Sequence, residues 1–155
     1  MKKYLFVCLG NICRSPTAEG VMLHLIAERG LTNIVVDSAG TSAYHVGEKA
    51  DPRSAETARR RGIDLPSRAR QFVQSDFDNF DVIFAMDNSN LRNILRLARN
   101  DVDRSKVHLF RNFDANSPKD ADMPDPYYGG GRGFEEVLDL CIAGCEGFLA
   151  TVQPK

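Results

Sequence analysis

Short apolar runs alternate with stretches of helical periodicity along this chain, and that alternation restricts the possible folds more than any other feature. Runs at residues 4–8, 34–36, 82–85 and 107–110 have the length and composition of buried strands. Apolar residues recur with the period of a helix over 18–26 and 134–149, and shorter helices are predicted over 52–61 and 88–98. The pattern predicts a single doubly wound α/β domain with a four-stranded, mostly parallel sheet and helices on both faces.

Length and charge agree with one domain that spans residues 1–155. A hydrophobic content of 43% is enough to bury a core. The formal net charge of −1 gives no positive field for nucleic acid or an anionic membrane, so we expect neither as a partner. The first apolar run lies between Lys3 and Gly10, which is far too short for a secretory or membrane-spanning segment. We therefore expect a cytoplasmic location.

The four cysteines predict reactive or buried thiols rather than a disulfide framework or a metal site. They are too few for a disulfide scaffold in 155 residues, and no histidine stands at zinc-finger spacing from them. Cys141 and Cys145 lie on the apolar side of the last predicted helix, where free cysteine packs as a small hydrophobic residue. We expect neither a metal nor a cofactor.

The segment Cys-Leu-Gly-Asn-Ile-Cys-Arg-Ser-Pro, from Cys8 to Pro16, connects the first predicted strand to the first predicted helix. Ser15 suits the N-cap of that helix and Pro16 its first position. Gly10 and Asn11 can adopt a positive φ, so the N–H groups of the turn and of the helix start can form a concave anion site. The predicted phosphate-binding residues are Leu9, Gly10, Asn11, Ile12, Cys13 and Ser15.

Cys8 and Arg14 flank this turn at the spacing Cys-x5-Arg. Dipoles of the turn would stabilise a Cys8 thiolate, and the planar Arg14 guanidinium can hold two oxygens of a phosphate. The alternative is a buried cysteine beside a helix-capping serine, which leaves Arg14 without a role. The spacing and its position after a strand indicate a thiol nucleophile paired with a phosphate-binding arginine.

Three motifs together resemble the low-molecular-weight protein tyrosine phosphatases, in the order and spacing of that family. They are VCLGNICRSPTAE at residues 7–19, DSAGTS at 37–42 and Asp-Pro-Tyr-Tyr at 125–128, and the resemblance covers essentially the whole chain. It implies hydrolysis of phosphotyrosine through a phosphocysteine on Cys8, without a metal, and Arg14 as the phosphate clamp.

The same resemblance assigns supporting roles to four further residues. Ser15 would stabilise the thiolate and Asp125 would be the general acid, while Asn11 and Ser38 would hold the loop in shape by hydrogen bonds. Some members of the family carry a histidine near the position of Ser67, and its absence here implies a modest effect on the stiffness of the loop.

Asp125 also suits the chemistry of an acid, because phenolate is a poor leaving group that a general acid assists by about 10²–10⁴ in rate. It stands between two prolines in the irregular stretch 114–133. The alternative for such an aspartate is a turn or capping residue. Since Asp125 must be protonated while Cys8 is ionised, we expect a bell-shaped pH profile with an optimum near about pH 5–6.

Tyr44 and Tyr127 are predicted to wall a pocket for the phenyl ring, with half-buried surface tyrosines as the alternative. For Cys13 the resemblance implies a protective disulfide with Cys8 after oxidation by peroxide, and hence redox regulation. The alternative role of Cys13 is a small buried residue that supports the loop.

Three other activities must be weighed against a tyrosine phosphatase. Arsenate reductases of this fold need further cysteines after the third strand, and residues 81–100 contain none. Arginine-phosphate phosphatases resemble this chain but typically carry threonine where Ile12 stands. A phosphate-binding module without activity would be expected if Cys8 or Asp125 were missing, and both are present. The expected partner is a phosphotyrosine protein, with a tyrosine kinase among the candidates, and the expected state is a monomer with a weak dimer as the alternative.

Overall fold

The computed structural model describes residues 1–126 and 132–152, and the statements below concern that part of the chain. Its strands are β1 (Lys2–Cys8), β2 (Ile34–Gly40), β3 (Val82–Ala85) and β4 (Val107–Leu109). They form one sheet in the order β2-β1-β3-β4, and each neighbouring pair is parallel. The predicted four-stranded α/β sheet is confirmed, and these strands are wholly rather than mostly parallel.

Helices connect and cover the strands. They are α1 (Arg14–Glu28), α2 (Pro52–Arg59), α3 (Asp76–Asn79), α4 (Asn88–Leu95), α5 (Asp101–Ser105) and α6 (Arg132–Val152), with a 3-10 helix at Phe110–Phe113. None of the helices in the described ranges is long and apolar enough to cross a membrane.

The two faces of the sheet carry separate hydrophobic cores, because successive side chains of a strand point to opposite faces. On one face Tyr4, Phe6 and Phe84 pack against α1 and α6. On the other face Leu5 and Ile83 pack with residues from α3 and α4. Helices therefore cover both faces, as the doubly wound prediction required.

An aromatic group forms the centre of the core beneath α6. The Phe84 ring stacks on Phe6 at a centroid distance of 4.7 Å and meets Phe148 edge-on at 4.9 Å. Phe110 contacts both Phe6 and Phe84. A Cβ on Gly144 would lie 2.5 Å from the Phe110 ring, so α6 packs this closely only because Gly144 has no side chain.

Several element boundaries differ from the sequence prediction. β2 continues to Gly40, and β4 ends at Leu109 because Phe110 starts the 3-10 helix. The helices predicted over 52–61 and 88–98 end at Arg59 and Leu95. Because α6 begins at Arg132, the loop predicted to reach residue 133 ends earlier.

The predicted start of α1 is wrong. The helix begins at Arg14 with Cys13 at the N-cap, so Ser15 is not the cap and Pro16 is not the first helical residue. The Cys13 carbonyl accepts hydrogen bonds from both the N–H and the hydroxyl of Thr17, which extends the helix backwards. Pro16 is compatible with this position, because N–H groups in the first turn have no partner within the helix.

Candidate active site

Residues from three strands meet at the carboxyl edge of the sheet. Cys8 is the last residue of β1, Ser38 lies near the end of β2, and Asp87 follows β3 by two positions. β1 lies between β2 and β3. In an open parallel sheet this edge, at the point where strand connections diverge, is the usual binding site.

The loop from Cys8 to Arg14 is held by the side chain of Asn11, which is buried and has φ 57°. Its carbonyl oxygen accepts the backbone N–H of Arg70 at 3.0 Å. Its amide nitrogen donates to Ser15 Oγ at 2.8 Å and to Ser38 Oγ at 2.9 Å. Because a backbone N–H can only donate, the contact with Arg70 fixes the orientation of the Asn11 amide.

That orientation directs the proton of Ser15 towards the sulfur of Cys8. Ser15 Oγ already accepts a hydrogen bond from Asn11, so its own proton can be donated to Cys8 Sγ or to the Ala39 carbonyl oxygen. These two atoms lie 3.0 Å and 3.5 Å from Ser15 Oγ. The shorter contact is the one to sulfur. The backbone N–H of Asn11 also donates to Cys8 Sγ, at 3.3 Å. Two donors therefore converge on the buried Cys8 sulfur.

The hydroxyl of Ser38 accepts from Asn11 and donates to Glu19 Oε1 at 2.5 Å. Glu19 is buried in α1 behind the loop. Burial raises the pKa of the Glu19 carboxyl and nearby Asp37 raises it further, while the hydrogen bond from Ser38 opposes the shift. Glu19 ends a hydrogen-bonded chain that begins at the sulfur of Cys8.

Arg14 is anchored on one edge of its guanidinium. Nη1 donates to Asp87 Oδ2 at 2.7 Å and to the Met123 carbonyl at 3.1 Å. Nη2 lies 3.6 Å from Asp125 Oδ2. Burial by itself would lower the pKa of Arg14, but the neighbouring Cys8, Asp87 and Asp125 together raise it. Arg14 therefore stays charged although its side chain is only 4% exposed.

Most of the predicted site residues line one cleft of about 400 Å³. Asp125, whose side chain is 33% exposed, lines this cleft close to Arg14. Tyr44 also lines the cleft and is 85% exposed. The lining residues are Cys8, Leu9, Gly10, Ile12, Cys13, Arg14, Ser42, Tyr44, His45 and Asp125.

Cys13 lies in the cleft wall but in an environment unlike that of Cys8. It is buried with Ile12, Ala69 and Phe134. Burial and the nearby Asp51 raise the pKa of the Cys13 thiol to about 12. Cys141 and Cys145 are fully buried in the core, as predicted.

The structure thus brings together Cys8, Arg14 and Asp125 at the cleft, with Asn11, Ser15 and Ser38 behind the loop. Tyr127 lies outside the described residues. No group of three metal-binding side chains occurs within the described ranges.

Sequence reasoning missed Glu19, Asp87 and His45 as parts of the site. Glu19 lies four residues after Ser15 on α1, a spacing that places both on one helix face. Asp87 immediately precedes the helix predicted over 88–98 and suits its N-cap, but its place after β3 also marks the binding edge of the sheet. His45 gave no signal, because only the fold brings its loop to Gly10.

A parallel α/β sheet whose first strand ends on a buried thiol, with an arginine and an aspartate lining the same cleft, defines the class of cysteine-dependent phosphatases. The model of the low molecular weight phosphotyrosine protein phosphatases matches residues 3–155, and the chain belongs to this family. It is a low molecular weight protein-tyrosine phosphatase.

Similarity to individual proteins extends over nearly the full length. The low molecular weight protein-tyrosine-phosphatase of Streptomyces coelicolor is 47% identical over 97% of this chain and 93% of its own length. A crystal structure of the protein tyrosine phosphatase from Entamoeba histolytica, with Hepes in its active site, has 42% identity and a TM-score of 0.93, covering 98% of this chain and 97% of that one. The Drosophila arginine phosphatase has 34% identity and a TM-score of 0.92, covering 100% of this chain and 99% of its own.

Proposed function

We propose that this tyrosine phosphatase acts on protein phosphotyrosine and aryl phosphates through a phosphocysteine intermediate on Cys8. The observation that carries the proposal is the convergence of two hydrogen-bond donors on Cys8 Sγ, from Ser15 and the N–H of Asn11. Donors of this kind favour the thiolate, which is the nucleophilic form of cysteine. The sulfur lies in the same cleft as Arg14 and Asp125.

In the first step the Cys8 thiolate attacks phosphorus, and the bond from phosphorus to the phenolic oxygen breaks. Asp125 gives its proton to the departing oxygen, so tyrosine leaves as a neutral phenol. The Nη2 group of Arg14, which the contacts with Asp87 and Met123 leave facing the cleft, binds phosphoryl oxygens together with N–H groups of the loop.

In the second step water attacks the phosphocysteine, and the bond from phosphorus to sulfur breaks. Asp125, now a carboxylate, takes a proton from the water, and inorganic phosphate is released. The hydrogen bonds from Ser15 and Asn11 stabilise the negative charge that returns to the Cys8 sulfur.

These donors act mainly in the second step. A thiolate stabilised by hydrogen bonds is a weaker nucleophile, with a Brønsted slope of about 0.4–0.5 in thiol exchange, so the donors contribute little to the attack itself. A stabilised thiolate is also a better leaving group. The remaining rate enhancement comes from the binding of the transferring phosphoryl oxygens.

The aromatic substrate is favoured by Ile12 rather than by the fold. The Drosophila arginine phosphatase shares the fold at a TM-score of 0.92, so topology does not separate the two substrates. Ile12 lines the cleft. Its side chain has no hydrogen-bond acceptor for a guanidinium, whereas its apolar surface suits a phenyl ring. We propose a phosphotyrosine protein as the physiological substrate, with a tyrosine kinase among the candidates.

The test compares three matched peptides carrying phosphotyrosine, phosphoserine or phosphoarginine, at pH 5.5 without added metal. We expect turnover of phosphotyrosine alone, none by Cys8→Ser, and a rate lower by about 10²–10⁴ for Asp125→Ala. Activity retained by Cys8→Ser would exclude the phosphocysteine. Preferred turnover of phosphoarginine would assign the site to the other substrate class.

A further inference from the structure

A second cleft, of about 750 Å³, is connected to the active-site cleft through the backbone. Asp51, which stands between the lining residues Ala50 and Pro52, donates its N–H to the carbonyl of Ile12 in the active-site cleft at 2.8 Å. The loop that carries Tyr44 and His45 on the active-site cleft continues to Lys49 and Ala50, which line this second cleft. We call it the flank cleft. Its lining residues are Lys49, Ala50, Pro52, Ala55, Glu56, Arg59, Leu65, Pro66, Ser67 and Arg68.

The flank cleft carries positive charge that the described protein does not neutralise. Glu56, its acidic lining residue, already pairs with Arg59 and with Arg60. Lys49 and Arg68 form no ion pair with any residue in the described ranges, and Arg68 donates only to the carbonyl of Gly47. Positive charge is thus concentrated here although the whole chain has a formal net charge of −1.

Backbone pairing orders the two chain segments that carry these cations. Lys49 and Arg68 are partners in an antiparallel bridge. Beside this bridge Gly47 N–H donates to Ala69 O, and Ala69 N–H donates to Glu48 O, both at 2.8 Å. Because the backbone under both side chains is already ordered, ligand binding costs little backbone conformational freedom here.

The flank cleft is within reach of a peptide anchored at the active site. His45 and Lys49 are four residues apart, so at most about 14 Å of chain joins the two clefts. An extended peptide advances about 3.3 Å per residue, and a side chain about three to five positions from the phosphotyrosine reaches this distance.

We infer that the flank cleft binds an acidic segment of the protein substrate, about three to five residues from its phosphotyrosine, through Lys49 and Arg68. The inference rests on the proposed phosphotyrosine site. Alanine and proline side chains in the cleft provide an apolar floor for the backbone of that segment.

The experiment measures kcat/KM for phosphotyrosine peptides with glutamates three to five positions before or after the phosphotyrosine. Matched peptides carry glutamine at the same positions. The enzymes are the wild type, Lys49→Glu/Arg68→Glu, and a control, Lys2→Glu/Arg96→Glu, which changes the net charge equally at exposed positions away from the clefts. Para-nitrophenyl phosphate reports the integrity of the catalytic site.

For the wild type we expect one glutamate peptide to exceed its glutamine match about five- to tenfold at low ionic strength. The preference should disappear in Lys49→Glu/Arg68→Glu, persist in the control, and fall as added salt shortens the Debye length from about 10 Å at 0.1 M to about 3 Å at 1 M. Hydrolysis of para-nitrophenyl phosphate should be equal in all three enzymes.

Equal turnover of glutamate and glutamine peptides by the wild type would overturn the inference and leave the proposed function intact. A preference that survives the double substitution or 1 M salt would overturn it as well. The salt series on the wild type needs no variant, so a preference that 1 M salt leaves unchanged would overturn the inference even if the double variant is misfolded. Absence of any phosphotyrosine turnover would instead contradict the proposed function.

Discussion

Arg14 and Asp87 are joined by a hydrogen bond of 2.7 Å between Nη1 and Oδ2, while the other oxygen of Asp87 caps helix α4. One carboxylate therefore fixes the guanidinium and the start of a helix together. The two residues are 73 positions apart and meet because β1 and β3 are neighbours, with Val7 paired to Ala85. The position of the Arg14 guanidinium, for which we propose phosphate binding, thus depends on the register of the sheet.

Replacement of Asp87 should separate its two roles. Asparagine caps helices about as well as aspartate, but its amide presents a second donor to Arg14. We expect Asp87→Asn to lower kcat/KM about ten- to hundredfold with little change in stability, because a misplaced guanidinium binds the transition state poorly. Asp87→Ala should lose similar activity and also about 0.5–2 kcal/mol of stability. Kinetics and urea unfolding test both variants, and full activity of Asp87→Asn would leave Asp87 with the capping role alone.

Gly40, at the end of β2, allows the backbone of the loop from Cys8 to Arg14 to approach closely. A Cβ there would lie 2.7 Å from the Leu9 carbonyl and 3.2 Å from Asn11 N. Since backbone atoms cannot rotate away, Gly40→Ala should displace the loop, costing about 1–3 kcal/mol and at least about tenfold in kcat/KM.

The matched control for this substitution is Gly30→Ala. Gly30 has φ 65° and open space around its Cα, so alanine there meets backbone strain and no neighbour. We expect a stability loss of about 1–2 kcal/mol with unchanged kcat/KM. Equal losses of activity in both variants would show that destabilisation alone, and not displacement of the loop, lowers activity.

The raised pKa of Glu19 predicts a pH-dependent effect of Glu19→Gln. Because burial raises this pKa above its ordinary value of 4.5, the folded state keeps the proton to higher pH than the unfolded chain. The contribution of Glu19 to stability is therefore complete below pH 4.5 and is lost as pH rises through the folded-state pKa.

Glutamine keeps the oxygen that accepts from Ser38 and cannot ionise. Unfolding free energies from pH 4 to pH 8 should therefore show Glu19→Gln gaining stability relative to the wild type as pH rises. A difference between the two proteins that is constant over this range would contradict the raised pKa.

What the sequence predicted well was local in the chain. Cys8, Arg14 and the turn between them lie within one short segment, and the strand before it is a continuous apolar run. The spacing of the two residues and the burial of the strand could therefore be inferred from the sequence. Helices α3 and α5 were missed because four or five residues are too few to show a helical period. The preference of serine for the N-cap predicted the wrong start for α1. Thr17 makes two hydrogen bonds to the Cys13 carbonyl, and these start the helix before Ser15.

Contacts made by tertiary structure could not be predicted in this way. Arg70 reaches Asn11 from 59 positions away, and its neighbourhood depends on the pairing of Gly40 with Gln71. Nothing in the spacing of these residues marks them as neighbours. Residue types indicate which side chains can act as nucleophile, acid or anion-binding group, while the sheet register determines which of these side chains come into contact.

The Cys13 thiol, with its pKa raised to about 12, predicts a pH-dependent redox response. In this prediction peroxide would oxidise the Cys8 thiolate to a sulfenic acid, and the Cys13 thiolate would then attack that sulfur, forming a disulfide and releasing hydroxide. Because the thiolate fraction of Cys13 rises about tenfold per pH unit below its pKa, we expect protection to strengthen from pH 7 to pH 9.

The measurement is phosphatase activity after peroxide treatment, with and without subsequent dithiothreitol, for the wild type and Cys13→Ser. Both proteins should start with similar activity. After peroxide at pH 9, dithiothreitol should restore most of the activity of the wild type but little of the activity of Cys13→Ser. Smaller recovery in the variant but no change with pH in the wild type would support the disulfide and reject the raised pKa as the limiting factor. Equal recovery in both proteins would show that Cys13 does not protect Cys8.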